Sequence, residues 1–149
     1  MAKIQKGSQL PTFQLKNQND ELVDSQSFNG KPVVIYFYPK DDTPGCTAEA
    51  CSFRDSYEDF TDAGAEVVGI SADSPKSHAA FAKKHRLPFV LLSDKGNKVR
   101  KLFGVPGSLF GLLPGRVTYI FDKNGVCQHV FDSQMNATKH VKEAMEAIK

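Results

Sequence analysis

The sequence has no tryptophan and only three cysteines among its 149 residues. A chain of this length buries roughly 70% of its unfolded surface, so residues 1–149 are expected to form one domain that needs no disulfide staples. Three cysteines exclude a cysteine-rich secreted scaffold, and the odd count leaves at least one thiol unpaired. With 11 Gly and 8 Pro the chain is not of low complexity. No apolar run reaches the ~20 residues of a membrane span. The start, Met1-Ala-Lys-Ile-Gln-Lys-Gly-Ser, has neither the apolar segment of a secretory signal nor an Arg-rich transit peptide, so secretion is not expected. A form from which a transit peptide has been removed would look the same.

A strong excess of one charge is absent too, the formal net charge being +2. The charges are nevertheless unevenly placed: residues 1–75 carry a net −6 and residues 76–149 a net +8. The basic residues of the second half, among them Lys83, Lys84, Arg86, Lys98, Arg100 and Lys101, are dispersed and no aromatic-interleaved motif accompanies them. Nucleic-acid binding is therefore not expected, and these residues read as solvated surface or a docking face for an acidic protein.

The elements come from runs and punctuation. Residues 32–38, PVVIYFY, are β-branched and aromatic throughout, as in a strand buried on both faces. Thr43-Pro44 reads as an N-cap followed by proline at the first helical position, opening a helix that carries Phe53, Tyr57 and Phe60 on one side and ends near Gly64. Residues 66–71, EVVGIS, are a second strand, Ser74-Pro75 opens a helix towards His85, residues 89–92 are a third strand and 97–103 a short helix. RVTYIF and VCQHVF flank Asp122-Lys-Asn-Gly125, a strong hairpin turn. Residues 138–148 form a closing amphipathic helix, and a small hairpin around 17–20 precedes everything. The order predicts an α/β fold of thioredoxin-like topology, with a mixed central sheet flanked by helices and an N-terminal β-hairpin. Such sheets place their sites in the turn after a buried parallel strand, here residues 39–46.

Cys46 falls in that turn, at the third helical position, where backbone N–H groups and the helix dipole favour a thiolate. Lowering an ordinary thiol from a pKa near 8.5 to ~6 raises the thiolate at pH 7 only about thirtyfold, so a larger acceleration must come from positioning and charge stabilisation. The bland alternative is an inert cysteine at a capped helix start. Cys51 lies five residues on in the same predicted helix, a Cα separation of nearly 9 Å, whereas disulfides need roughly 4.4–6.8 Å. A bond between the two requires local unwinding; otherwise Cys51 is a small apolar residue of the inner face. An iron–sulfur cluster would need a third cysteine where Arg54 stands, and the four histidines, 78, 85, 129 and 140, show no zinc spacing. C-x-x-C is absent. Cys127 reads as a half-buried strand thiol.

The run Pro39-Lys-Asp-Asp-Thr43-Pro-Gly-Cys46 fits P-x-x-x-T-x-x-C and resembles the peroxiredoxin active-site motif. With Cys51, Glu66-Val-Val-Gly-Ile-Ser, Leu91-Leu-Ser-Asp-Lys-Gly and Leu113-Pro-Gly-Arg-Val-Thr-Tyr it resembles the peroxiredoxin Q, or bacterioferritin comigratory protein, branch. The photosynthetic members are most similar, especially through residues 107–115, over nearly the whole chain.

The resemblance implies a cofactor-free, metal-free peroxidase of hydrogen peroxide and alkyl hydroperoxides, monomeric and recycled by thioredoxin or a similar dithiol. Its setting would be a bacterial or cyanobacterial cytoplasm, or a chloroplast for a processed plant form. The peroxidatic cysteine falls on Cys46, the resolving cysteine on Cys51, and the active-site threonine, arginine and proline on Thr43, Arg116 and Pro39. Cys46 would become a sulfenic acid while Arg116, the Thr43 hydroxyl and the Cys46 N–H donate to the leaving oxygen. Cys51 would then close an intramolecular disulfide with Cys46. Glu49 is expected to orient Arg116 or to pair with Arg54, unless it is a solvated helix-face acid. Residues 108–113, SLFGLL, are an apolar collar near the site or a loop packed on the core. A reading of another class, a non-catalytic redox sensor or holdase that exposes Phe53 and Phe60 on oxidation, uses the same thiols.

Overall fold

The computed structural model describes residues 3–106, 115–134 and 136–148, and residues 108–113 lie outside them. In chain order the elements are β1 (Gln14–Asn17), β2 (Leu22–Asp24), β3 (Val33–Phe37), α1 (Pro44–Asp55), α2 (Tyr57–Asp62), β4 (Glu66–Ser71), α3 (Pro75–His85), β5 (Val90–Ser93), α4 (Lys98–Phe103), β6 (Val117–Phe121), β7 (Cys127–Asp132) and α5 (Lys139–Ile148). The strands form one mixed sheet in the order β2-β1-β5-β4-β3-β6-β7. β3, β4 and β5 are parallel, and β6 pairs with β3 antiparallel.

β3 lies inside the sheet between β4 and β6 and all five of its residues are buried, which is why its sequence is apolar without alternation. Its side chains still alternate between faces. Val34 and Tyr36, with Tyr38 just beyond, join Ala50 and Phe53 of α1, Phe60 of α2, Phe81 of α3 and Val141 of α5. Val33, Ile35 and Phe37 join Val99 and Phe103 of α4 and the N-terminal Ile4, Phe13 and Phe28. The β6–β7 turn forms as its residues predict: Asp122 Oδ1 accepts from the N–H groups of Asn124 and Val126, and Gly125 takes φ 77°.

Three details differ from the sequence reading. The helix expected to run from Pro44 towards Gly64 is two helices broken at Ser56, which adopts φ −104°, ψ 4°. A straight helix would separate Phe53 and Phe60 by ~10.5 Å along its axis. The break lets both rings, with centroids 5.8 Å apart, enter one core. Ser74 caps α3 as expected, its hydroxyl oxygen accepting from Ser77 N–H at 3.1 Å, but Thr43 makes no such bond to α1. Arg100, counted among the surface bases, is 8% exposed.

Close approach of backbone to core rings explains one glycine. A Cβ on Gly69 in β4 would lie 2.8 Å from Tyr36 Cζ and 2.9 Å from Leu91 Cδ2. Gly69→Ala is expected to lower the unfolding free energy by about 1–3 kcal/mol, as overpacking does. Urea denaturation checks this, and an unchanged midpoint would contradict the packing described.

Candidate active site

β3 ends where proline removes the next backbone donor, and residues 39–43 carry the chain over the carboxyl edge of the sheet to α1. The loop is anchored from below. The Tyr38 hydroxyl donates to Asp41 Oδ1 at 2.6 Å, Ser77 donates to Asp41 Oδ2 at 2.8 Å, and Asp41 N–H donates to Asp73 Oδ2 at 2.8 Å. His78 spans Asp41 Oδ2 at 2.7 Å and the Leu92 carbonyl at 3.0 Å. Burial alone would raise the Asp41 carboxyl, but the hydrogen bonds from His78, Tyr38 and Ser77 outweigh it and hold it below its ordinary value. Among the described residues, Asp41, Asp73 and His78 bring potential metal-ligand atoms within 4.8 Å of one another. Their facing atoms are already engaged in these bonds, so the trio is a latch holding the loop to α3 and β5.

Cys46 stands at the third position of α1, 1% exposed, and the cap at Thr43 is extended (φ −92°, ψ 154°). The Thr43 hydroxyl donates to the Lys40 carbonyl at 2.9 Å instead of accepting from the helix. The first-turn N–H groups of Gly45 and Cys46 are therefore not capped by it. Arg116 arrives from the other side. The register pairs Phe37 with Val117, which puts Arg116 beside Tyr38 at the head of the loop. Its guanidinium donates from Nη2 to Cys46 Sγ at 3.3 Å, from Nη1 to Glu49 Oε1 at 2.7 Å and from Nε to the Gln134 carbonyl at 3.2 Å. A Cβ on Gly45 would lie 2.9 Å from Nη2, so only glycine leaves the guanidinium room there.

Residues 6–130 match the model of the AhpC/TSA family. The chain belongs to that family, the peroxiredoxins. It is 61% identical over 147 residues to the chloroplastic peroxiredoxin Q of Sedum lineare, covering 99% of this chain and 79% of the relative. The peroxidoxin BcpB of Mycobacterium tuberculosis superposes with TM-score 0.88 at 34% identity, covering 96% of this chain and 95% of that one. The Xanthomonas campestris bacterioferritin comigratory protein, described for its alkyl peroxide reduction activity, superposes with TM-score 0.80 at 30% identity over 92% of each chain. The fold is thus the thioredoxin-like peroxiredoxin fold of the peroxiredoxin Q branch, and the chain is a thiol-dependent peroxidase.

Of the residues singled out in the sequence, Cys46, Arg116 and Glu49 meet within hydrogen-bond distance. Glu49 is fully buried and orients Arg116; Arg54 turns instead to Asp55 and the His85 carbonyl. Thr43 and Pro39 lie in the loop, half-buried. Cys51 is half-buried in the intact α1 helix, and all three thiols are free. Cys127 is buried more deeply than a half-buried strand thiol, and burial pushes its pKa up.

Beneath Glu49 lies a polar pair that no motif announced. His140 of α5 donates from Nε2 to the Ser133 carbonyl at 2.8 Å, which leaves Nδ1 to accept from the Thr118 hydroxyl at 2.7 Å. That same Nδ1 is 3.6 Å from Glu49 Oε2, a buried oxygen with no hydrogen-bond partner. Burial pulls His140 down to about 4 and pushes Glu49 up to about 8, the latter against the opposing charge of Arg116. The only sequence signal for His140 is its place on the apolar side of an amphipathic helix.

The two shifts change stability in opposite directions with pH. His140 is depressed, so its contribution to stability is complete above its unfolded value of 6.5 and is lost as pH falls towards 4. Glu49 is raised, so its contribution is complete below 4.5 and is lost as pH rises through about 8. In urea unfolding from pH 7 to 4, His140→Gln is expected to shrink the fall in stability by up to roughly 3 kcal/mol. Glu49→Gln is expected to remove the opposing fall in stability between pH 4.5 and about 8, and unchanged slopes in both variants would refute the assignments.

Proposed function

We propose that Cys46 is the peroxidatic thiol of a hydroperoxide reductase, that Cys51 resolves it, and that a thioredoxin-type dithiol recycles the pair. The observation that carries the reading is the bond from Arg116 Nη2 to Cys46 Sγ, made by a guanidinium that Glu49 holds on its other arm. Among the described residues three of the five guanidinium N–H groups find partners, leaving one on each terminal nitrogen to bind a peroxide oxygen.

The Cys46 sulfur attacks the near oxygen of the hydroperoxide in line with the O–O bond. The O–O bond breaks, the sulfenic acid forms, and the departing oxygen takes a proton to leave as water or an alcohol. Negative charge develops on that oxygen, and the free Arg116 N–H groups with the Cys46 backbone N–H stabilise it where little water enters. Thr43 acts differently from the donor inferred from the sequence. Its hydrogen is committed to Lys40, so its oxygen accepts from the hydroperoxide O–H and orients the substrate. Pro39 ends the β3 ladder and sets the loop's departure.

The Cys51 sulfur then displaces hydroxide from the sulfenic sulfur, forming the disulfide and releasing water. In intact α1 the two Cα atoms are nearly 9 Å apart, beyond the roughly 4.4–6.8 Å of a disulfide. The step therefore requires the first turns of α1 to unwind, which parts Glu49 from Arg116. A single chain is the working unit in this reading, since Arg116 and Glu49 of the same chain reach Cys46. The chloroplastic relative supports a photosynthetic cell as the setting.

In Cys51→Ser, one equivalent of hydrogen peroxide is expected to leave a trappable sulfenic acid on Cys46, while thioredoxin-linked turnover is lost. Arg116→Leu is expected to slow Cys46 oxidation by about 10²–10³-fold. Mass spectrometry of the trapped adduct and stopped-flow rates check both, and an adduct found elsewhere than on Cys46 would sink the reading.

A further inference from the structure

A second buried arginine reaches the site from the opposite face of the sheet. Arg100 of α4 donates from Nη2 to the Tyr38 carbonyl at 3.1 Å and from Nη1 to the Gly115 carbonyl at 2.7 Å. These carbonyls belong to the residues immediately before Pro39 and before Arg116. Tyr38 follows β3 on the way to Cys46, and Gly115 precedes Arg116, the site's cation, just before β6. The β3–β6 pairing ends at Phe37 and Val117, so beyond it no ladder bond holds these two backbones together.

Arg100 is itself firmly held. The carboxylate of Asp94 receives the N–H groups of Val99 and Arg100, each at 2.9 Å, fixing the start of α4. The guanidinium carbon lies 5.6 Å from the centroid of the Phe37 ring. Among the described residues no carboxylate lies within salt-bridge distance of it, so its donors go to backbone carbonyls. A planar fork with two parallel N–H directions suits two carbonyls at fixed spacing, as the single nitrogen of a lysine does not.

We propose that Arg100 is a positioning residue of the peroxidase site, its fork clamping the Tyr38 and Gly115 carbonyls so that Arg116 and Cys46 meet at hydrogen-bond distance. The proposal rests on the roles assigned to Cys46 and Arg116 above. A misplacement on the order of 1 Å at a reacting centre costs up to about 10²-fold in rate, so a clamp at this point has a large lever. Burial lowers Arg100 from its ordinary pKa, with the charge of Asp94 opposing the fall.

The test compares two reactions of Cys46 in a Cys51→Ser background. Oxidation by hydrogen peroxide needs both the sulfur and the donors placed around the leaving oxygen. Alkylation by iodoacetamide needs the sulfur and its access alone. In Arg100→Gln the peroxide rate is expected to fall by about 10–100-fold while the alkylation rate stays within about twofold, and Arg100→Lys is expected to restore only part of the loss. A purely structural role would loosen the site and speed alkylation. A wild-type peroxide rate in the folded variant, or an alkylation rate changed as much as the peroxide rate, overturns the proposal. Where Arg100→Gln does not fold, Arg100→Lys carries the same comparison, and a wild-type peroxide rate there overturns it equally. Absence of a sulfenic adduct on Cys46 when Arg100 is intact would instead sink the peroxidatic reading itself.

Discussion

Arg116 holds a positive charge in a place with almost no water, 4% exposed, between the Glu49 carboxyl group and a sulfur. A buried cation is tolerated only when hydrogen bonds and nearby negative charge offset its lost hydration. Glu49, the Gln134 carbonyl and Cys46 Sγ accept three of its hydrogen bonds. Much of the surrounding structure serves this arrangement: the β3–β6 register brings Arg116 to the loop, the missing Cβ of Gly45 admits its guanidinium, and α1 presents Cys46 and Glu49 one turn apart on the same face. Glu49 is costly to bury, as its raised pKa shows. Its worth lies in fixing the direction of the guanidinium rather than in added stability.

The peroxidase chemistry and the fold pull against one another in α1. The helix must be well formed to hold Cys46, Glu49 and the first-turn N–H groups, yet the proposed disulfide requires that same stretch to open. The break at Ser56 bears on this conflict, because α2 with Phe60 is a separate helix and need not follow α1. The Asp41–His78–Tyr38 latch likewise ties residues 38–41 to α3 and β5, so the loop keeps its anchor at one end while the helix at the other end rearranges. Arg100 adds a second anchor, from α4, at the carbonyl of Tyr38.

Much of this was legible in the chain. The PVVIYFY run had to be a central strand, Ser74-Pro75 had to open a helix, Asp122-Lys-Asn-Gly125 had to turn, and Cys46 had to stand at a helix start, because each follows from local backbone preference and hydrophobic period. The break at Ser56 was not legible, since its cause is a shared core that both Phe53 and Phe60 must reach. Nor was the hydroxyl direction of Thr43, which is decided by the nearby Lys40 carbonyl that the loop's own path supplies.

The sequence by itself placed a thiol at a helix start and a second thiol five residues on, because these are local patterns, whereas the role proposed for Arg116 was implied only by resemblance to the peroxiredoxin motif. It did not determine what surrounds them. Arg100 sat in a basic stretch and read as surface, and His140 looked like one polar residue on an amphipathic helix. Both became part of the site's framework only when strands and helices distant in sequence were packed together. Hydrogen bonds between Arg100 and Tyr38, or between His140 and Thr118, join residues whose separation along the chain leaves no local signature. Burial, which sets the pKa of Glu49 and His140, is likewise a property of the assembled core and not of any short stretch of sequence.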